Sequence, residues 1–388
     1  MRFTRTHRAT IVASAATTAA ALLLAACGGS TSSTPDTTVP ASSTSTPVSA
    51  VTAGAAFPAD RCAANKAAGP ITYLSSFDFA ASASIVDVVV AKAKGYYEAM
   101  CLDVTLKSSF SVDNYPQVAA NEAQFSSGGS FSEMADFADA NDAGFVALAV
   151  EGRTGIDALI TKDGAVATLA DVKGKKIGVK GAITPSVKAM LAAQGLVEGK
   201  DYTTVLLDGF DPKVHIAVPD IVGFPGYKSN EPLQLKAAGI PFTMFDPSEF
   251  KIPGSFGVLY TNRTFLSQFP TAATDFMRAT MKGLADAIAD PAAAAKASVD
   301  AINANGNALY LTPEGETARW QVESKLVGDS AAPEKPLGLP LVDLLKAEID
   351  TYQKIGVFTD GTPVVDNLID ASVLTSIYDD AGAVVWPG

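Results

Sequence analysis

A short apolar run that ends in glycines and passes directly into a helical pattern is the feature that most constrains this chain. Asp220-Ile-Val-Gly-Phe-Pro-Gly-Tyr-Lys-Ser-Asn-Glu-Pro-Leu-Gln-Leu-Lys-Ala-Ala-Gly239 reads as a buried strand over Ile221 to Phe224, a Gly/Pro-rich turn, and a helix from about Pro232. Gly239 stands where a helix C′ residue belongs, and Pro232 in the first turn, where proline is tolerated. Proline drives the residue before it out of the α region, which holds Glu231 at the strand-to-helix junction. Open α/β sheets bind ligands at such junctions, outside the carboxyl ends of the strands. Ser229 and Asn230 are better N-caps than glutamate, so Glu231 is a candidate ligand contact with Phe224 and Tyr227 as aromatic walls. The plain alternative is a solvated first-turn charge favoured by the helix macrodipole.

The same unit recurs toward the N-terminus. Ile71 to Leu74 is a strand pattern followed by the loop Ser75 to Phe79, in which Phe77 and Phe79 either line a crevice or pack over the strand end. Ser84-Ile-Val-Asp87 has capping-box spacing ahead of a helix reaching Met100, and Asp103 to Lys107 alternates as the next strand. This is a βαβ unit and implies a parallel sheet. Gln124 to Ser130 ends a further strand in a Gly/Ser loop, a helix follows, and Phe145 to Val150 is a continuously apolar strand. The loop Ser127-Gly128-Gly129-Ser130 offers backbone N–H groups at a helix start, but lacks the lysine and spacing of a phosphate-cradling P-loop. Lys176 to Lys180 is another strand, with Thr184 as N-cap before Pro185; Val205 to Asp211 ends in Asp208 and Phe210. The α/β class follows from this alternation.

Before these units lies an address. Arg2, Arg5 and Arg8 precede an apolar, small-residue stretch from Ile11 to Ala26, which ends in Leu24-Ala-Ala-Cys27-Gly28. That ending resembles a bacterial lipoprotein signal. It implies a leader over 1–26, a mature protein that begins at a lipidated Cys27, and a membrane attachment by acyl chains on the extracytoplasmic face of the cell membrane. The Ser/Thr/Pro-rich segment 27–56 has too little apolar surface to offset chain entropy and reads as a disordered stalk. Cys62 and Cys101 remain, an even pair in an oxidising compartment: either a disulfide, worth roughly 3–4 kcal/mol on the chain-entropy model, or two buried thiols. The formal net charge is −12; removal of the three leader arginines leaves 26 basic against 41 acidic residues, a charge of −15. That argues against nucleic acid as a partner. The body, about 330 residues, is long enough for two cores, and no second apolar run is long enough to span a bilayer.

Three segments taken together carry a family resemblance: Ala91-Lys-Ala-Lys-Gly-Tyr-Tyr-Glu-Ala-Met-Cys-Leu-Asp-Val104, Leu169-Ala-Asp-Val-Lys-Gly-Lys-Lys-Ile-Gly-Val179, and Gly226-Tyr-Lys-Ser-Asn-Glu-Pro232. From Ile71 to its end the chain resembles solute-binding proteins of ABC importers, in the thiamine-biosynthesis-like branch. That branch holds binders of thiamine pyrimidine precursors and riboflavin, with relatives for sulfonates, taurine and nitrate. The resemblance implies a type II periplasmic-binding-protein fold, two doubly wound lobes closing about a hinge, with lobe one at 69–162 and 254–388 and lobe two at 163–253. It implies a monomer that captures a small-molecule solute, an ABC permease and its ATPase as partners, and no cofactor. The ligand-facing positions it implies are Phe77, Asp78 and Phe79, the loop with Ser127, Gly128 and Ser130, Thr184, and Tyr227 with Glu231; in pyrimidine-binding relatives a Tyr and a Glu in this part of lobe two face the ring. The usual Trp or Pro-Asn opening after the first strand is replaced by Ser76-Phe-Asp-Phe79.

No enzyme chemistry is legible. His7 falls in the leader and His215 sits between Val214 and Ile216, where a structural role is expected; there is no cysteine cluster, Ser/His/Asp set or His-based metal site. Residues past Phe265 are mostly helical, with Phe276, Met277, Leu284 and Ile288 as a core stripe, and Thr312 to Leu345 reads as Pro/Gly-rich loops without chemistry. A sulfonate or nitrate site wants arginine or bare helix N-termini. The candidate loops instead carry Asp78, Asp208 and Glu231 among aromatics, which suits a neutral or amino-bearing heteroaromatic such as a pyrimidine or flavin. The alternatives are a sulfonate, taurine or nitrate binder, and a lipoprotein that presents its ligand to a sensor.

Overall fold

A computed structural model describes residues 48–305 and 311–388. The expected leader, the lipidated Cys27 and most of the expected stalk lie outside them. The described end of the stalk, 48–56, is held by the body: Ser49 N–H donates to Asp60 Oδ2 at 2.7 Å and Gly54 N–H to the Trp386 carbonyl at 3.0 Å. A helix not foreseen from the sequence, Ala59–Ala67, follows. Its Cys62 is bridged to Cys101.

Among the described residues ten strands form two five-stranded sheets. They are β1 (Pro70–Leu74), β2 (Asp103–Lys107), β3 (Phe125–Gly128), β4 (Phe145–Gly152), β5 (Asp157–Lys162), β6 (Lys176–Val179), β7 (Thr203–Leu206), β8 (Gly223–Tyr227), β9 (Phe242–Phe245) and β10 (Phe256–Asn262). The first sheet runs β2-β1-β3-β10-β4 and the second β7-β6-β8-β5-β9. Each is a parallel three-strand core, β2-β1-β3 or β7-β6-β8, followed by one antiparallel strand, β10 or β5, and an outer strand, β4 or β9, that pairs antiparallel with it and so runs with the core. The expected parallel sheets are therefore mixed. The reason is the crossovers: a chain that leaves one sheet along β4 and re-enters along β10 must lay the returning strand against the others' direction. β5, placed in the first lobe by the sequence reading, pairs with β8 and β9 in the second sheet.

Local chemistry accounts for other departures. The helix expected to run to Met100 breaks at Gly95, whose φ of 71° no other residue adopts freely, into Val86–Ala93 and Tyr96–Ala99. Pro225 and Gly226, read as turn, belong to β8, opposite Leu159 and Ala158 of β5. Thr312 to Leu345 is not all loop: Pro313–Gly328 is a helix, entered through Thr312 Oγ1, which accepts from the Gly315 N–H. Phe276, Met277 and Leu284 of the helix Pro270–Ala289 are buried against Tyr97 and Phe125 in the first core, as read; the Phe125 and Phe276 rings stack 3.8 Å apart.

Candidate functional site

A cavity of about 750 Å³ opens where the carboxyl-end loops of β1 and β3 face those of β7 and β8. Phe77, after β1, meets Phe110 edge-on at 5.7 Å and, from the other side of the cleft, Phe210 at 6.1 Å. Each ring has a cation beside it: the Arg319 guanidinium lies 5.9 Å from the Phe77 centroid and Lys180 Nζ 5.4 Å from that of Phe210. Gly129 leaves room for its neighbour Glu133, because a Cβ there would stand 2.6 Å from Glu133 Oε2; the Tyr227 hydroxyl of the other lobe would lie 3.4 Å from the same point.

The basic groups of the wall are mostly held by acids. Lys180 Nζ lies 2.8 Å from Glu231 Oε1, and Glu231 Oε2 accepts from the Tyr227 N–H at 2.8 Å. Arg319 Nη2 is 3.4 Å from Glu316 and donates to Asn230 Oδ1 at 2.9 Å. Two further carboxyls sit where the lobes meet. Burial pushes Asp157 up to about 7, with the charges of Glu231 and Glu133 adding to it and the Ser186 hydroxyl opposing. Burial also raises Glu133. The Tyr227 phenol is pushed well up, first by burial and then by the charges of Asp157 and Glu133. The cleft thus combines aromatic edges and paired charges, with two carboxyls raised by burial where the lobes meet.

One feature expected of an anion site is filled by the protein itself. The turn before the helix Val86–Ala93 presents N–H groups at Ala81, Ala83 and Ser84, which donate to Glu316 at 2.6 Å, Glu323 at 2.8 Å and Glu151 at 2.9 Å. Ser84 is not a capping-box residue: it sits at φ 63° and the N-cap position is Ile85. Three remote glutamates take the place of a local cap.

The structure brings together Phe77, Gly128, Asp208, Tyr227 and Glu231 at the cavity wall. Glu231 is there as backbone support, with both carboxylate oxygens engaged. The other candidates lie elsewhere. Asp78 is buried and accepts from the Phe79 N–H at 2.8 Å, and Phe79 packs in a small core with Ile302 and Leu311. Ser127 Oγ accepts from the Ser76 N–H and the Tyr73 hydroxyl. Ser130 caps the helix Phe131–Asn141 by accepting from the Glu133 N–H. Thr184 holds the N-cap position of the helix Pro185–Ala193 but makes no cap bond and does not line the cavity. Phe224 packs edge-on to His215 in the core of the second lobe, and His215 Nε2 lies 3.0 Å from the Asp208 carbonyl oxygen. Among the described residues no group of three His, Cys, Asp or Glu is placed to hold a metal, and no helix is long and apolar enough to cross a membrane.

Sequence reasoning missed Lys180, Asn230, Gln234, Glu133 and Arg319 at the wall. Arg319 had a legible signal: Glu316, Arg319, Trp320 and Glu323 recur at helical spacing on the one buried face of Pro313–Gly328. Charges that share a face with a tryptophan are paired or functional. Asn230 holds the N-cap position but makes no cap bond; its Oδ1 accepts from Arg319 and Gln234, and the Ser229 hydroxyl donates to Glu323.

Two sheets joined by two crossovers, with a cleft between their carboxyl-end loops, define the periplasmic-binding-protein class of fold. Solved structures of that class superpose on this chain: the aliphatic sulphonate binding protein SsuA from Escherichia coli, at a TM-score of 0.59 with 11% identity over 78% of this chain and 92% of that one, and the nitrate-binding protein NrtA from Synechocystis PCC 6803, at 0.55 with 15% identity over 79% and 87%. Residues 82–294 match the NMT1/THI5-like family, and the chain belongs to it. It is 27% identical over 210 residues to the riboflavin-binding protein RibY of Chloroflexus aurantiacus; the match covers 52% of this chain and 58% of that protein's length.

Proposed function

We propose that this protein is the extracytoplasmic solute-binding component of an ABC importer, and that its cleft takes a neutral heteroaromatic solute of flavin size. The observation that carries the solute class is a cavity of about 750 Å³ edged by Phe77 and Phe210 from opposite lobes, with its Lys180 and Arg319 already paired to acids. The volume lies within the range of about 300–1,000 Å³ common to small-molecule sites. A tricyclic flavin fills such a space far better than a lone pyrimidine, taurine or nitrate. Likeness to a riboflavin-binding protein supports the same reading. The sulfonate or nitrate alternative fits less well, because the N–H groups that would hold an oxyanion already hold Glu316, Glu323 and Glu151.

In this reading residues 69–156 and 254–388 form one lobe and 157–253 the other, and the lobes close about the crossovers after β4 and β9. The protein acts as a monomeric binder with a permease and an ATPase as partners, and needs no cofactor. Cys27 carries the acyl anchor, so Cys27→Ala abolishes labelling by a fatty-acid analogue and releases the protein from the membrane. The central test is a thermal-shift panel of riboflavin, thiamine and its pyrimidine, taurine, ethanesulfonate and nitrate. A ligand at 100 times its Kd stabilises by about 2.7 kcal/mol. A shift with riboflavin is expected. A shift confined to sulfonates or nitrate overturns the solute class.

A further inference from the structure

Arg319 comes to the cleft from a helix outside the family-matched segment. It is 5% exposed, its Nη2 donates to Asn230 Oδ1 at 2.9 Å, and its Nε has no partner. A guanidinium can only donate, so Asn230 must turn its oxygen toward Arg319 and its NH₂ group away. Gln234, one helical turn on, shares that oxygen: its Nε2 donates to Asn230 Oδ1 at 2.9 Å. Gln234 must therefore present its own oxygen elsewhere. Amide orientations are ordinarily assigned from the surrounding network; here the donor-only arginine dictates both. All three residues line the cavity. Among the described residues no hydrogen bond engages Asn230 Nδ2 or Gln234 Oε1.

We infer that Arg319, Asn230 and Gln234 form a subsite for an imide edge, the sequence carbonyl–NH–carbonyl within a heteroaromatic ring. The guanidinium and the Asn230 amide nitrogen donate to the two carbonyl oxygens, and Gln234 Oε1 accepts the ring N–H between them. The inference rests on the reading of this cleft as the solute site, and it narrows the solute. An isoalloxazine or a pteridinedione carries such an edge; an aminopyrimidine, a sulfonate and nitrate do not. The three residues come from both lobes, with Arg319 joining through its bond to Asn230, so the edge is read only when the lobes are together.

The test compares lumiflavin with 3-methyllumiflavin, which differ only in the ring N–H, by fluorescence titration of the full chain. A buried acceptor left without its donor is expected to weaken the methylated ligand by about tenfold or more. In Gln234→Ala that preference falls to within about twofold. Arg319→Lys, which keeps the charge but loses the planar fork, weakens lumiflavin by about tenfold. Equal affinity of the wild type for the two flavins overturns the imide subsite and leaves the flavin reading intact. If neither flavin binds, the flavin reading fails, and the pair lumazine and 3-methyllumazine then decides: discrimination supports the subsite, and no binding or no discrimination overturns it as well.

Discussion

The Ser229 hydroxyl donates to Glu323 Oε1 at 2.6 Å, tying the loop after β8 to the helix Pro313–Gly328 across the cleft. Both side chains are fully buried. The other oxygen of Glu323 accepts from the Ala83 N–H and the Ser82 hydroxyl, so one carboxylate holds the turn before the first-lobe helix and grips the second lobe at once. Ser229→Ala removes only the grip. A single hydrogen bond to a charged group contributes about 1.5–3 kcal/mol, which predicts a loss of solute affinity of roughly tenfold or more. The ligand-free Tm should move far less. Titration of the variant with the ligand found in the panel checks this; unchanged affinity would remove the clasp from the account.

The Cys62–Cys101 bridge spans a sequence separation of 39. A loop of that length gives a chain-entropy stabilisation of roughly 4 kcal/mol. Cys62→Ser or reduction should therefore lower the urea midpoint markedly. A variant as stable as the parent would show that the bridge constrains nothing the native contacts leave free.

Ligand-free stability should fall as pH rises from 5 to 8. Asp157 is held at about 7 and Asp87 at about 6, both through burial, and the Asp87 charge adds to the burial that raises its neighbour Glu151 well above the usual range. Below the unfolded value near 3.8 these acids are protonated in both states; above it the unfolded chain loses its proton first, so stability declines until the folded values are passed. Asp157→Asn should flatten the upper part of that decline. Tm measured at half-unit steps is the readout, and a Tm that climbs over this window contradicts it.

Glu231→Gln should alter what the cleft accepts. The substitution keeps an acceptor for the Tyr227 N–H but leaves Lys180 without its counter-charge at 2.8 Å. An unpaired cation at a half-buried wall favours anions, so the affinity for riboflavin phosphate relative to riboflavin should rise by about three- to tenfold. Competition between the two flavins measures it; a ratio that stays fixed means the lysine does not face the solute.

The local elements of this chain are written in short stretches. Gly239 ends its helix, Pro185 and Pro232 stand in first turns, and the apolar run at Phe145 is fully buried in β4, because each depends on neighbours within a few residues. The α/β class and the junction around Tyr227 and Glu231 were legible for the same reason. The insertion of β5 and β10 against their neighbours was not, since both directions carry the same apolar pattern and the crossovers alone choose between them. The occupants of the site were legible least of all. Glu231 is spent on Lys180, and the turn at Ala81 to Ser84 on three glutamates far along the chain, while Arg319 arrives from a helix 89 residues beyond the Asn230 it orients. Whether a charge is free for a ligand depends on which partner the fold brings within about 3 Å, and that distance is set by tertiary packing within and between the lobes rather than by position in the sequence.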